Sequence, residues 1–406
     1  MAHTPKSARL ATRLTRPARD LAHRIGRMAR RAGRTEARAA ALEQASLPLS
    51  ARLHVPVLAE APEAAVWREM AGVYAAQAAC GDWTALLGAL VAADQSRAAA
   101  PGGRRLAVLV SEGARAALAQ AIAAHDIAGA EAELARLEDM AAAQGEGYGA
   151  ALIVAQAHLD LGLARRSVAA EGGSGHVPWQ GYLSHVAMAE AALDPFDPIA
   201  ENSPLLAATR YQLVRGLEDG ERLCRDWYED WSDLDPTCPE PHAAHGPHLL
   251  PMWYGALEDF DAEARAAARR TGDVAGGAAY AVLNMAAAEV LGEVPPGADH
   301  GLYLSGLLDY FHATGCQYRA NIAAGAMAAL GHALSEEAPG SLRQRMVMEV
   351  LADHLTDNLR EFHLPAWKGG RDLIHWTLDE IFGQALARGD HIVLGPEGIE
   401  ARPAGG

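Results

Sequence analysis

Apolar residues along this chain recur mostly three and four positions apart, the spacing that lines one face of a helix, and alternation is confined to the last stretch. The first clear unit runs from Trp67 to Pro101. Trp67, Met70, Ala71 and Tyr74 share a face, Gly81-Asp82-Trp83 reads as a turn, and Leu86, Leu90 and Ala93 continue the period until Pro101. The same logic predicts helices over Arg105 to Ala124 and Ile127 to Ala143, with His125-Asp126 as the turn and Ala130, Leu134 and Leu137 inward. Further helices are predicted over Tyr148 to Arg165, Leu183 to Leu193 and Leu205 to Trp231. Asp194-Pro195 and Asp235-Pro236 stop the last two, because proline lacks an amide donor and constrains its predecessor. Leu249 to Arg270 and Val274 to Leu291 follow around a Gly272-Asp273 turn. Leu302 to Ala313, Tyr318 to Ser335, Leu342 to Phe362 and Asp372 to Arg388 complete the series. His391 to Leu394 and Ile399 to Ala401 flank Gly395-Pro396-Glu397-Gly398, the pattern of a short β-hairpin.

Alanine is abundant and β-branched runs are few, so composition agrees with the period in predicting an all-α chain. Residues 67 to 74 follow W-x2-L-G-x2-Y with Met70 for Leu and Ala71 for Gly, and one extra helical turn precedes Gly81. On these residues the stretch from 67 to 101 resembles a tetratricopeptide-like helical-repeat protein. The resemblance implies an α-solenoid, a superhelical stack of antiparallel helix pairs over residues 55–390, with a possible break near 171–176. Residues 1–50 form a separate basic arm, and residues 391–406 a hairpin cap and tail.

Charge divides the chain in two. Residues 1–38 hold eleven Lys and Arg against Asp20 and Glu36, so a net charge of -16 leaves a strongly acidic body. Leu10, Leu14, Leu21, Ile25 and Met28 give the arm one apolar side, interrupted at Pro17. A solubilising tail, an arm docking on the body or a partner, and an anchor for anionic membrane all fit that pattern. Contact with nucleic acid is expected only through the arm, since the body repels phosphate. Cys80, Cys224, Cys238 and Cys316 are far apart in sequence and form no C-x2-C pair, which points to a reducing cytoplasm.

Three constellations carry possible chemistry. Cys238, Glu240, His242, His245 and His248 offer thiol, carboxylate and imidazole ligands for zinc or another transition metal, with the histidines as the core of the set. The prolines between them predict an inter-helix loop. Asp309 with His312 and Asp372 with His375 are D-x-x-H pairs, which an ordinary helix-surface network also explains. Residues 226–235 mix acids with aromatics. Trp227, Tyr228, Trp231, Trp253 and Tyr254 are the expected anchors for a partner, although Trp227 and Trp231 at four-residue spacing also suit core packing.

Phosphate-loop, dinucleotide, serine-elbow and H-E-x2-H motifs are absent. The expectation is therefore a non-enzymatic scaffold that binds a protein or peptide and needs no cofactor. The rivals are a metal-dependent enzyme at 242–248 and tethering by the arm to an anionic surface.

Overall fold

The computed structural model describes residues 44–404 except 146 and 172–176. Residues 1–43 of the basic arm and most of the anticipated break at 171–176 lie outside the described residues. After a short helix α1 (Leu49–Arg52), the described body is a succession of packed helices. These are α2 (Pro62–Ala79), α3 (Trp83–Gln95), α4 (Leu106–Ala114), α5 (Ala116–Ala123), α6 (Ile127–Gln144), α7 (Tyr148–Glu171) and α8 (Val177–Leu193). They continue as α9 (Pro204–Leu213), α10 (Gly220–Leu234), α11 (Glu240–His245), α12 (Leu257–Ala275), α13 (Ala278–Leu291), α14 (His300–His312), α15 (Gln317–Glu337), α16 (Leu342–Asn358) and α17 (Gly370–Ala387). The chain is mainly helical, made of many packed helix pairs, with a small antiparallel hairpin at its C-terminal end: β3 (His391–Leu394) and β4 (Ile399–Arg402). Among the described residues no single helix is long and apolar enough to cross a membrane. The bent pair α4–α5 has the composition, but it turns by 66° and buries Leu109, Val110 and Leu118.

Where the helices break reflects local chemistry. Leu205 to Trp231 is two helices rather than the one that periodicity predicts. The chain folds back between Leu213 and Gly220, the Tyr254 hydroxyl donates to the Val214 carbonyl at 2.8 Å, and a Cβ at position 220 would stand 1.9 Å from that carbonyl oxygen. Only glycine permits so close an approach. The turn expected at Gly272-Asp273 lies instead at Gly276-Gly277, where Gly276 has φ +56° and Asp309 accepts the Gly277 amide at 2.7 Å. Segment 238–248 is also more ordered than the prolines suggest. Pro241 and Pro247 occupy the first turns of α11 and of the 3-10 turn Gly246–Leu249, where a missing N–H costs no intrahelical bond.

The two ends of the described chain meet, which periodicity does not foretell. β1 (Val57–Leu58) pairs in parallel with β2 (Phe362–His363), and Leu53 bridges to Ile392 of the hairpin. Trp67 of the first unit packs edge-on against Tyr318 of α15 at 5.0 Å. The hairpin therefore rests between α16, α17 and the start of the body.

Candidate functional site

Helix ends build a charged cavity. Asp94, near the end of α3, accepts from the Leu205 amide at 2.9 Å and from the Ser203 hydroxyl, at the N-terminus of α9, and from the Tyr148 hydroxyl at 3.1 Å. A carboxylate there satisfies donors that begin a helix without partners. Burial nevertheless raises its pKa above the ordinary value, against those three hydrogen bonds. Arg97, in a left-handed conformation just beyond α3, donates to the Leu234 carbonyl at 3.1 and 2.9 Å and so caps the C-terminus of α10. Arg105 clamps Asp235 through two bonds of 2.6 Å, and Asp235 is 2 % exposed. Arg115, at the bend between α4 and α5, reaches Asp160 at 2.8 Å and also Gln156 and Ser111 of the neighbouring turns.

These groups surround a cavity of about 290 Å³ whose apolar wall includes Val108, Pro204 and Trp231. Five carboxyl residues (Asp94, Glu112, Asp160, Asp235 and Glu240) face three arginines (Arg97, Arg105 and Arg115) around it. Every arginine is already held by an acceptor in the protein. Glu112 and Asp160 are bound by Arg104 and Arg115 yet remain 39 % and 37 % exposed, so they are the carboxylates that a ligand meets first.

The second polar centre lies on the other side of segment 238–248. Cys238 and Glu240 face the charged cavity, and the Cys238 thiol donates to Glu240 at 2.7 Å. The three histidines are buried, but they do not converge. His242 Nδ1 pairs with the Tyr228 hydroxyl at 2.8 Å, whereas the Nδ1 atoms of His245 and His248 lie 2.8 and 2.6 Å from the Tyr211 hydroxyl. Cys224 of α10, which the sequence does not single out, stands 3.4 Å from that hydroxyl. The missing signal is tertiary: residue 224 reaches the histidines only because α10 folds back over α9.

Burial lowers His242 to about 4 and His245 to about 3, the latter also through His248, His242 and Arg225. Burial and then Arg215 bring His248 to about 4. All three imidazoles are neutral at physiological pH. Burial pushes the Cys224 thiol up, so it is held as the thiol.

The aromatic residues divide by depth. Tyr228 and Trp231 are buried at 5 % and 8 % exposure, and Tyr228 stacks flat on His245 at 3.9 Å. Trp227 is half-buried against the core. Trp253 and Tyr254 are half-buried beside His248, with the Arg215 guanidinium 4.7 Å above the Trp253 ring. Trp231 alone of the five lines the charged cavity.

Asp309 is used as an acceptor for a backbone amide, while His312 and Asp372 are exposed on helix surfaces. No protein-family model, curated protein or solved structure matches this chain, so the chemistry of its side chains carries the functional reading.

Proposed function

We propose that this protein is a non-enzymatic binding scaffold of stacked helix pairs, working in the reducing cytoplasm, whose charged cavity receives the basic side chain of a protein or peptide partner. The excess of carboxyl residues over arginines around a cavity of about 290 Å³ supports this reading. A lysine or arginine side chain places a cation among acids there, and its methylene stem lies against Val108, Pro204 and Trp231. Glu112 and Asp160 supply the first contacts, because the other acids are tied to buried donors or to Arg105.

The test is calorimetric titration with matched peptides that differ only in carrying lysine, norleucine or glutamate at one position. The lysine peptide should bind at least about tenfold more tightly than the norleucine peptide, a difference of roughly 1.4 kcal/mol, and the Glu112→Gln, Asp160→Asn double variant should remove that preference. Equal affinity for all three peptides would refute the assignment.

A further inference from the structure

Cys224, His245 and His248 are brought together by α10, α11 and the 3-10 turn, and their donor atoms all lie within 4.8 Å of one another. We propose that these three side chains bind a transition-metal ion, zinc being the class they fit, with the Tyr211 hydroxyl at the fourth corner. The site is separate from the charged cavity and does not depend on the reading given to it.

Size and ligand chemistry agree. Zinc bonds of about 2.3 Å to sulfur and 2.0–2.1 Å to nitrogen, at tetrahedral angles, set the two ligand atoms about 3.5 Å apart. The Cys224 Sγ lies 3.6 Å from His248 Nδ1 and 3.9 Å from His245 Nδ1. Tyr211 Oη closes the fourth side at 3.4 Å from the sulfur and at hydrogen-bonding distance from both nitrogens. A metal entering the centre lengthens those two oxygen–nitrogen contacts from 2.8 and 2.6 Å to about 3.3 Å, an opening of about half an ångström or slightly more. Thiolate with imidazole is a donor set that favours zinc over magnesium or calcium. A cavity of about 340 Å³, lined by Cys224, His245 and His248 together with Glu221, Asp259 and Glu263, gives an ion a way in.

Arg215 makes the site distinctive. Its Nε donates to His248 Nε2 at 2.8 Å, so the imidazole proton sits on Nδ1, the nitrogen that the metal needs. Binding therefore requires that proton to move to Nε2 and Arg215 to turn away, while the Cys224 proton leaves to solvent. Arg215 is exposed, which makes the movement cheap, and it acts as a brake on metal affinity. A metal-bound histidine ordinarily donates from its second nitrogen to an acceptor, and an arginine cannot serve as one.

The experiment is titration of the full-length, reduced, chelator-stripped protein with Co(II) alone, read by absorption. One cobalt per chain should bind with a sulfur-to-cobalt charge-transfer band and tetrahedral ligand-field bands. Cys224→Ser should abolish the charge-transfer band and weaken binding by at least about 100-fold, beyond what losing a hydrogen-bond partner of a ligand usually costs. Cys238→Ser and His242→Gln should leave the spectrum intact. Arg215→Gln, at an exposed position that does not threaten folding, should tighten binding about tenfold. Absence of the sulfur-to-cobalt band in the unmodified protein, its survival in Cys224→Ser, or an affinity in Arg215→Gln no higher than in the unmodified protein would overturn the proposal.

Discussion

The charged cavity and the histidine centre share the wall formed by residues 238–248, yet they handle buried polarity in opposite ways. In the cavity, Asp235 lies deep in the protein and Arg105 meets both of its oxygens. Among the described residues no carboxylate bonds to the imidazoles of His242, His245 and His248, and these groups remain neutral and hydrogen-bond to tyrosines. The difference follows from the partner each side chain finds. A buried carboxylate needs a matched cation to keep its charge, whereas an imidazole escapes the desolvation cost by releasing its proton. One region therefore depends on ion pairing and the other on pH.

Breaking that contrast should have its largest effect at the ion pair. Arg105→Met leaves Asp235 buried and alone, and should lower unfolding stability by about 3–5 kcal/mol in urea denaturation at neutral pH.

The histidine side should respond to acid. The folded state holds His242 near 4, and the unfolded chain titrates it near 6.5. Its contribution is therefore complete above pH 6.5 and is lost as pH falls toward 4, on the order of 3 kcal/mol by then. His245 and His248, lowered to about 3 and about 4, add to the same slope, so urea unfolding at a series of pH values should show it and His242→Gln should reduce it by about one proton's share.

Tyr211→Phe sharpens the comparison further. It removes the hydroxyl between His245 and His248 while preserving the ring, and should cost about 1–3 kcal/mol by the same measurement. The smallest effect should come from Asp372→Asn, on an exposed surface, with stability unchanged within about 0.5 kcal/mol. Its sequence analogue Asp309 differs, since it receives the Gly277 amide.

These two aspartates show where reading the chain succeeds and where it stops. Both begin a D-x-x-H pair on a helix, and nothing local separates them; the α12–α13 turn selects Asp309. Likewise Trp227 and Trp231 are equivalent in spacing, but α10 turns Trp231 inward. Cys238 looks like the natural companion of the histidines, yet the turn that leads into α11 places it with Glu240 on the other cavity.

What the sequence by itself determined is the helical character of the body, most helix positions and the C-terminal hairpin, because period, proline and glycine act over a few residues. The tertiary structure decided the break at 214–219, the meeting of the two chain ends and the pairing of Cys224 with His245 and His248. Those outcomes depend on contacts between residues far apart in the chain, such as Tyr254 with Val214 and Leu53 with Ile392, and helical periodicity records only which face is apolar, never what it packs against.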